Sequence, residues 1–179
     1  MRKSSDYSSH GYDCMSDSDL LQKVTKGWKC AETPCGTGST IAQTTFIRAS
    51  LPWIADEYGI QSVADAGAGD LHWIGLVDWD VEYRPYDLYP RHADVTRLDI
   101  TKEVLPKSDL ILCRHVLNHL SIQYSELAIA LFRKSGSKYL LMTNCDNQLN
   151  YWQQYGLSVG EPILTLNDTR HWRLELYEL

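Results

Sequence analysis

The chain has 179 residues, 44% of them hydrophobic, which suffices for one domain around a single sizeable core. Its formal charge of -6 and isoelectric point near 5.4 disfavour a broad basic surface of the kind that holds nucleic acid or an anionic membrane. No apolar stretch approaches the roughly 20 residues of a membrane span, and residues 1–9 lack the apolar core of a signal peptide. We therefore expect a cytoplasmic protein that acts on small molecules, as a monomer or a homodimer.

The first third of the chain is predicted to precede the main fold. Residues 1–15 are rich in Ser, Asp, Tyr and Gly without periodicity, which predicts a flexible tail. Residues 16–60 are predicted to form a helical lid, with a short helix over 19–26, a loop over 34–40 and a longer helix from Ile41 to near Gly59. Pro52 would kink or split that second helix.

Short apolar strands alternate with helical segments over residues 61–179, the predicted core. In chain order we expect a strand over 62–65, a helix over 71–77, strands over 81–87 and 109–113, an amphipathic helix over 116–133, a strand over 138–143, and a hairpin of 162–166 with 171–177. Asn167 and Asp168 suit the turn of that hairpin. This pattern predicts an α/β fold, with a mostly parallel sheet flanked by helices and closed by an antiparallel pair.

The first predicted strand ends in an acid followed by two glycines, Asp65, Gly67 and Gly69, with the pattern D-x-G-x-G. Glycines lack Cβ, so the backbone can adopt positive φ and a ligand can lie directly against the peptide planes. The pattern is one glycine short of the dinucleotide motif, and a P-loop with its Lys is missing. The ligand therefore need not carry phosphate, and an ordinary strand-to-helix turn is the alternative interpretation.

The five cysteines form an odd set without the rhythm of a disulfide scaffold, so we expect free thiols. Cys30 and Cys35, with Cys14 and His10 nearby in sequence, match no common zinc-ligand spacing. The sequence thus predicts no metal centre.

Several motifs in order make the chain over residues 28–179 resemble the class I, Rossmann-like S-adenosylmethionine-dependent methyltransferases. The segment Asp65 to Asp70 resembles that family's glycine motif, whose backbone contacts the methionine part of the cofactor. Asp87 lies 22 residues after Asp65 and resembles the acid that accepts hydrogen bonds from the ribose hydroxyls. The resemblance implies S-adenosyl-L-methionine as cofactor, and Trp73 is the aromatic residue we would place against it.

Two further segments carry the resemblance. Leu98-Asp99-Ile100 resembles the segment in which an acid binds the adenine amino group and an apolar side chain lies on the ring. The segment 113–120 resembles the loop after the fourth strand, which implies contact of Arg114 with cofactor or substrate. The loop 36–40 is similar to a lid segment near the cofactor.

The connection after the second strand departs from the family pattern. Only Tyr89, Pro90, Arg91 and His92 separate Leu88 from Ala93, whereas a parallel crossover takes about a dozen residues or more. The helix between strands 2 and 3 is therefore predicted to be missing. We expect the third strand to be lost, with Asp99 on an extended loop; a connection that doubles back is the alternative.

Methyl transfer needs little acid-base help when the nucleophile is good, so a catalytic residue need not exist. For a hydroxyl acceptor His115 is the candidate base, because the loop after the fourth strand would aim it at the methyl group. Capping of the following helix is the alternative role. His115 and His119, spaced i, i+4, would share a helix face, but no third metal ligand accompanies them.

The sequence thus favours a methyltransferase acting on a small molecule or metabolite. A nucleic-acid methyltransferase is disfavoured by the acidic charge and by the lack of an Asn/Asp-Pro-Pro-aromatic segment, although a patch of Arg84, Arg91, Arg97 and Arg114 would revive it. A cofactor-binding pseudoenzyme, or a partner that sequesters the cofactor, is the alternative from another class.

Overall fold

The computed structural model describes residues 25–145, 159–168 and 172–179, and within them the chain forms one sheet of seven strands. The strands are β1 (Ser62–Ala66), β2 (Glu82–Asp87), β3 (Thr96–Arg97), β4 (Leu110–Cys113), β5 (Tyr139–Cys145), β6 (Leu164–Asn167) and β7 (Trp172–Glu178). Their spatial order is β3-β2-β1-β4-β5-β7-β6. β1 to β5 pair in parallel, and β7 lies antiparallel between β5 and β6. The predicted mostly parallel sheet with a C-terminal antiparallel hairpin is confirmed.

Two α-helices with both ends inside the described ranges flank the sheet: α1 (Thr45–Tyr58) and α2 (Ile122–Lys134). α1 ends where the sequence predicts, because Gly59 adopts a left-handed conformation at φ 62° and donates its N–H to the last carbonyls. The helix runs unbroken through Pro52. The predicted tail over 1–15, almost all of the predicted helix over 19–26, and the hairpin turn at 169–171 lie outside the described residues.

The core has two layers because successive strand residues point to opposite faces. In β4, Leu110 and Leu112 pack with α1, whereas Ile111 and Cys113 pack with α2. All four side chains are at most 1% exposed. A strand buried on both faces reads as a continuous apolar run, which is why β4 and the first part of β5, Tyr139 to Met142, are recognisable in the sequence.

Two predicted helices are shorter than expected. The helix predicted over 71–77 reduces to the 3-10 turn Ile74–Leu76, because Leu71 adopts a left-handed φ of 59°. The helix predicted from 116 begins at Ile122, because the 3-10 turn Leu117–His119 is followed by extended backbone at Leu120 and Ser121, with ψ of 153° and 161°. The apolar spacing continues through these turns, so the sequence pattern there is the same as that of a helix.

The prediction that the third strand is lost is wrong, because β3 is present. The prediction that the helix between strands 2 and 3 is missing is confirmed. β3 pairs in parallel with the end of β2 through two residue pairs, of which the second is Asp87 with Arg97. Eight residues, 88–95, make this crossover without a helix, and a strand of two residues is all that this short connection delivers. No helix in the described part of the chain is long and apolar enough to cross a membrane.

Candidate functional site

The carboxyl ends of β1, β2 and β4 meet at one edge of the sheet. From β1 the chain proceeds outward to β2 and β3 on one side, then returns to β4 and β5 on the other. Such a reversal leaves a crevice beyond the strand ends, where α/β proteins bind their ligands. The acids and glycines singled out in the sequence lie around this crevice.

The glycine turn, Gly67 to Gly69, leaves β1 through two positive φ angles, 106° at Gly67 and 63° at Gly69. Gly67 and Ala68 donate their N–H groups to the Tyr86 carbonyl at 2.8 and 3.0 Å. Gly69 donates its N–H to an Asp87 carboxylate oxygen at 2.9 Å. Three successive amides are thus engaged by the end of β2, and the turn does not offer the cluster of free N–H groups that cradles a phosphate.

The glycines are also required by the chain's own packing. A Cβ on Gly67 would overlap a methyl of Val116, and a Cβ on Gly69 would lie 2.5 Å from the Cys35 sulfur. The close approach in this structure is therefore made by the loop after β4 and by the N-terminal segment, residues 25–44. Contact of the glycines with a cofactor remains a prediction.

Asp87 ends β2 with its carboxylate directed at the glycine turn. Its two oxygens accept N–H groups from Gly69 at 2.9 Å and from Tyr89 at 2.8 Å. Burial raises its pKa, against the lowering effect of these hydrogen bonds. Each oxygen accepts one bond of the two it can take, so the half-buried carboxylate retains acceptor capacity for hydroxyl groups.

Asp65 is 4% exposed and receives a short hydrogen bond from the Tyr83 hydroxyl on β2. Burial raises the pKa of this carboxyl to about 7, with Tyr83 and Arg114 opposing the shift and Asp87 adding to it. Asp65 therefore lies buried between β1 and β2 and releases its proton at a much higher pH than an exposed aspartate does.

Asp70 connects the glycine turn to the N-terminal segment. Its carboxylate accepts the Thr33 hydroxyl at 2.7 Å and the His72 N–H at 3.2 Å. Burial raises its pKa, but the hydrogen bonds from Thr33, His72 and Cys35 outweigh that effect and the net shift is downward. Asp70 thus stays ionised and holds residues 33–35 across the turn.

Asp99 and Ile100 follow β3. The Asp99 carboxylate accepts from the Thr101 N–H at 3.0 Å and hydroxyl at 2.6 Å, and it pairs with Lys102 at 2.9 Å. Ile100 is 9% exposed and belongs to the core on the α2 face. Asp99 thereby stabilises the turn after β3, and contact of either residue with adenine remains a prediction.

Arg114 follows β4 and is held by the chain on every side. Its Nε and Nη2 donate to one Asp168 oxygen at 3.0 and 2.7 Å, and Nη1 donates to the Gly38 carbonyl at 2.7 Å. The guanidinium lies 5.5 Å from the Trp73 ring centroid. Arg114 and Trp73 are both buried, at 7% and 8% exposure, so these two predicted ligand contacts are engaged with each other.

His115 occupies the strained position after Arg114, where φ is 54°. Its backbone N–H donates to the Thr143 hydroxyl at 2.9 Å, and its ring meets Trp172 edge-on with centroids 5.1 Å apart. Nε2 lies 3.7 Å from an Asp168 oxygen, longer than a hydrogen bond. Burial lowers the pKa of the imidazole, and Asp168 opposes this while Arg114 adds to it. The ring is therefore neutral near pH 7, as a base must be.

Three residues at this site escaped the sequence reasoning: Gly38 as a carbonyl acceptor, Tyr83 and Asp168. Asp168 was interpreted as a turn residue because Asn-Asp pairs favour turns. Its partner Arg114 is 54 positions away, so no local pattern signals the pair. The alternation in β2 does place Tyr83 on the face of Asp65, which is the one signal available.

The suggested histidine pair is not built as expected. The positive φ of His115 prevents a shared helix face, and the His119 ring instead lies 4.6 Å from the Trp28 ring. Cys30 and Cys35 are free thiols. Within the described residues no three His, Cys, Asp or Glu side chains form a group suited to a metal ion.

The architecture is similar to that of solved S-adenosylmethionine methyltransferases. The magnesium protoporphyrin IX methyltransferase of Synechocystis PCC 6803, solved with bound S-adenosylmethionine, matches with a TM-score of 0.58 and 14% identity over 92% of each chain. The N-methyltransferase NodS of Bradyrhizobium japonicum WM9, solved with S-adenosyl-L-homocysteine, matches with 0.62 and 11% identity, over 90% of this chain and 96% of that one.

A third similar structure is the 1,6-didemethyltoxoflavin-N1-methyltransferase of Burkholderia thailandensis, with a TM-score of 0.59 and 13% identity over 78% of this chain and 79% of that one. No protein-family model matches the sequence, and no curated protein matches it. The chain therefore has the class I, Rossmann-like methyltransferase fold, and the resemblance noted in its motifs is confirmed at that level.

Proposed function

We propose that this protein is an S-adenosylmethionine-dependent methyltransferase that acts on a small-molecule acceptor. The observation that carries the proposal is the glycine turn at the β1–β4 reversal, whose amides are engaged by Tyr86 and Asp87. A nucleotide phosphate needs those N–H groups. A ligand with ribose hydroxyls and no phosphate does not.

The charges around the turn favour the same ligand. S-adenosylmethionine has a sulfonium and an ammonium group, and Asp70 and Asp87 lie on either side of the turn. Carboxylates attract such cations, and the spare acceptor capacity of Asp87 suits two ribose hydroxyls. The side chains present therefore fit the cofactor.

The cofactor would supply an electrophilic methyl group bound to sulfur. On transfer of that methyl group the sulfur would leave as a neutral thioether. The protein would contribute alignment and exclusion of water, and the contacts of the N-terminal segment with Asp70 and Arg114 support such a role for that segment. His115, neutral and at the end of β4, is the group that would accept a proton from a protic acceptor.

The contacts of Arg84 and Arg114 support a small acceptor. Arg84 pairs with Glu82 at 2.6 Å, and Arg114 is buried against Asp168. The two therefore do not contribute to one exposed basic patch, which a nucleic-acid substrate would require. Two of the similar structures are named for small acceptors, magnesium protoporphyrin IX and 1,6-didemethyltoxoflavin.

Calorimetry with S-adenosylmethionine and S-adenosylhomocysteine tests the proposal directly. Asp87→Ala should weaken binding by about 1.5–3 kcal/mol, because it removes charge-assisted hydrogen bonds to the ribose. Asp80→Ala, which removes a carboxylate at an exposed site before β2, is the matched control and should leave affinity unchanged.

The outcomes separate the competing functions. Absence of binding by the wild-type protein would contradict the proposal. Tight binding with no methylated product across a panel of small acceptors would instead indicate a protein that senses or sequesters the cofactor.

A further inference from the structure

Three distant parts of the chain meet at the end of β4. Gly38 comes from the N-terminal segment, Arg114 and His115 from the loop after β4, and Asp168 from the connection between β6 and β7. The Asp168 side chain is fully buried and that of Arg114 is 4% exposed. Within the described residues, the second Asp168 oxygen, Oδ1, is buried without a hydrogen-bond partner. A buried carboxylate with one oxygen unpaired costs free energy, and the geometry of the β6–β7 hairpin does not explain it.

The His115 ring is fixed in orientation by its surroundings. Its backbone is anchored to Thr143, its ring edge meets Trp172, and a Cβ on Gly38 would lie 3.4 Å from its Cδ2 atom. Nε2 is the ring nitrogen that faces Asp168, at 3.7 Å. At this distance the carboxylate acts on the ring through its charge and not through a hydrogen bond, and that charge favours a proton on Nε2, which leaves Nδ1 as the unprotonated nitrogen.

We propose that Asp168 is the positioning residue of this site: it holds His115 as the Nε2–H tautomer, so that Nδ1 accepts the proton of a hydroxyl-bearing acceptor, an alcohol or a phenol. This inference rests on the proposed methyltransferase function and specifies its acceptor class. In the proton step the acceptor O–H bond breaks, its electron pair stays on oxygen, and a new N–H bond forms at Nδ1. The imidazolium then returns the proton to water.

Charge at the site supports this assignment of roles. Two charged groups act on the His115 ring, Asp168 from the β6–β7 connection and Arg114 from its own loop. Thr143 on β5 and Trp172 on β7, which also contact His115, carry no charge. Asp168 stabilises the imidazolium and Arg114 destabilises it, so loss of the Asp168 charge should weaken the base.

Nitrogen-15 NMR of the histidine rings across pH tests the proposal without cofactor. Wild-type His115 should titrate from the Nε2–H tautomer, and Asp168→Asn should lower its pKa by about one unit or more, with the exposed His92 as internal reference. Asp94→Asn is the matched control, because Asp94 pairs with His92 at 3.6 Å on the surface and should leave His115 unchanged. An Nδ1–H tautomer in the wild type overturns the proposal, and this measurement decides even if Asp168→Asn fails to fold.

The pH dependence of kcat/KM gives the second readout. With a hydroxyl acceptor, Asp168→Asn should move the acidic limb to lower pH, whereas a purely structural role would lower the rate without moving it. His115→Ala should cost about 10²- to 10⁴-fold. If the wild type methylates a nitrogen or carbon acceptor and His115→Ala does not slow that reaction, the inference is refuted while methyl transfer stands. If the wild type does not bind the cofactor, both the inference and the proposed function are refuted.

Discussion

Burial gives the three aspartates around the glycine turn different protonation behaviour. Asp65 has no charged partner in direct contact, so burial dominates and its pKa rises to about 7. Asp70 is supported by several hydrogen bonds, and its pKa is lowered. The same residue type thus supplies, within residues 65–70, one carboxyl with a raised pKa and one with a lowered pKa.

Asp65 predicts a pH-dependent stability with a definite sign. Its folded-state pKa of about 7 exceeds the ordinary aspartate value of 3.8 that applies in the unfolded chain, so between these values the native state holds a proton that the unfolded state has released. The free energy of unfolding should therefore fall as pH rises from about 4 to about 7, and this contribution should level off above. In urea titrations, the free energy of unfolding of Asp65→Asn relative to that of the wild type should increase by up to about 4 kcal/mol between the two ends of that pH range.

Asp80→Asn removes the same charge at an exposed position and serves as the control. Its stability difference from the wild type should stay within about 0.5 kcal/mol over the same range. A difference for Asp65→Asn that does not change with pH would show that Asp65 is ionised in the folded state.

Side chains at strand ends could be located from the sequence, whereas their partners could not. Asp65 and Asp87 follow apolar or β-prone runs, and parallel pairing necessarily brings such ends to one edge. The partners of Asp168 and Asp65, Arg114 and Tyr83, depend on tertiary packing between segments far apart in the chain. Only the fold determines those distances.

At the level of elements, the glycine turn is held between two neighbours that leave no room for side chains. Gly67→Ala should destabilise the protein by about 1–3 kcal/mol, because it combines a positive φ with an overlap at Val116. Part of this cost should disappear in the Gly67→Ala/Val116→Ala double variant, measured by thermal unfolding as a double-mutant cycle.

Gly75 provides the control for the turn, since a Cβ there meets nothing within 4 Å and φ is not positive. Gly75→Ala should change stability by no more than about 0.5 kcal/mol. Strictly additive effects of Gly67→Ala and Val116→Ala would show that the two residues do not compete for the same space.

The elements that sequence patterns predicted well are those with uniform burial. β4 is apolar throughout, β1 and β5 are buried over almost all of their described side chains, and the end of α1 has its glycine cap. The two helices that proved shorter are interrupted by backbone conformations that the residue types there do not indicate: positive φ at Leu71 and extended backbone at Leu120. Ser121 caps α2 by accepting the Tyr124 N–H, and a Ser at this position is a signal for the start of a helix that the apolar spacing from 116 conceals.

At the scale of the whole molecule, stability should decrease from the centre of the sheet to the β3 edge. The amides of β4 lie among side chains at most 1% exposed, whereas both residues of β3 are exposed. In hydrogen exchange, β4 should open only with global unfolding, and Thr96 and Arg97 should exchange at least about 10-fold faster.

S-adenosylhomocysteine should slow exchange at residues 67–69 and 87–89, where the ligand would lie, and leave β6 unaffected. Binding at 100 times the dissociation constant should also stabilise the fold by about 2.7 kcal/mol. Protection confined to regions away from the glycine turn would place the ligand elsewhere.

The single guanidinium of Arg114 joins the beginning, middle and end of the described chain, through Gly38 and Asp168. A version trimmed to start at α1 would keep the carboxylate but lose the Gly38 carbonyl together with the cover that this segment gives the Arg114–Asp168 ion pair, so water would reach the pair and weaken it. Residues 25–44 therefore cannot be treated as a detachable appendage, and engineers seeking a minimal scaffold would have to replace that lost oxygen first.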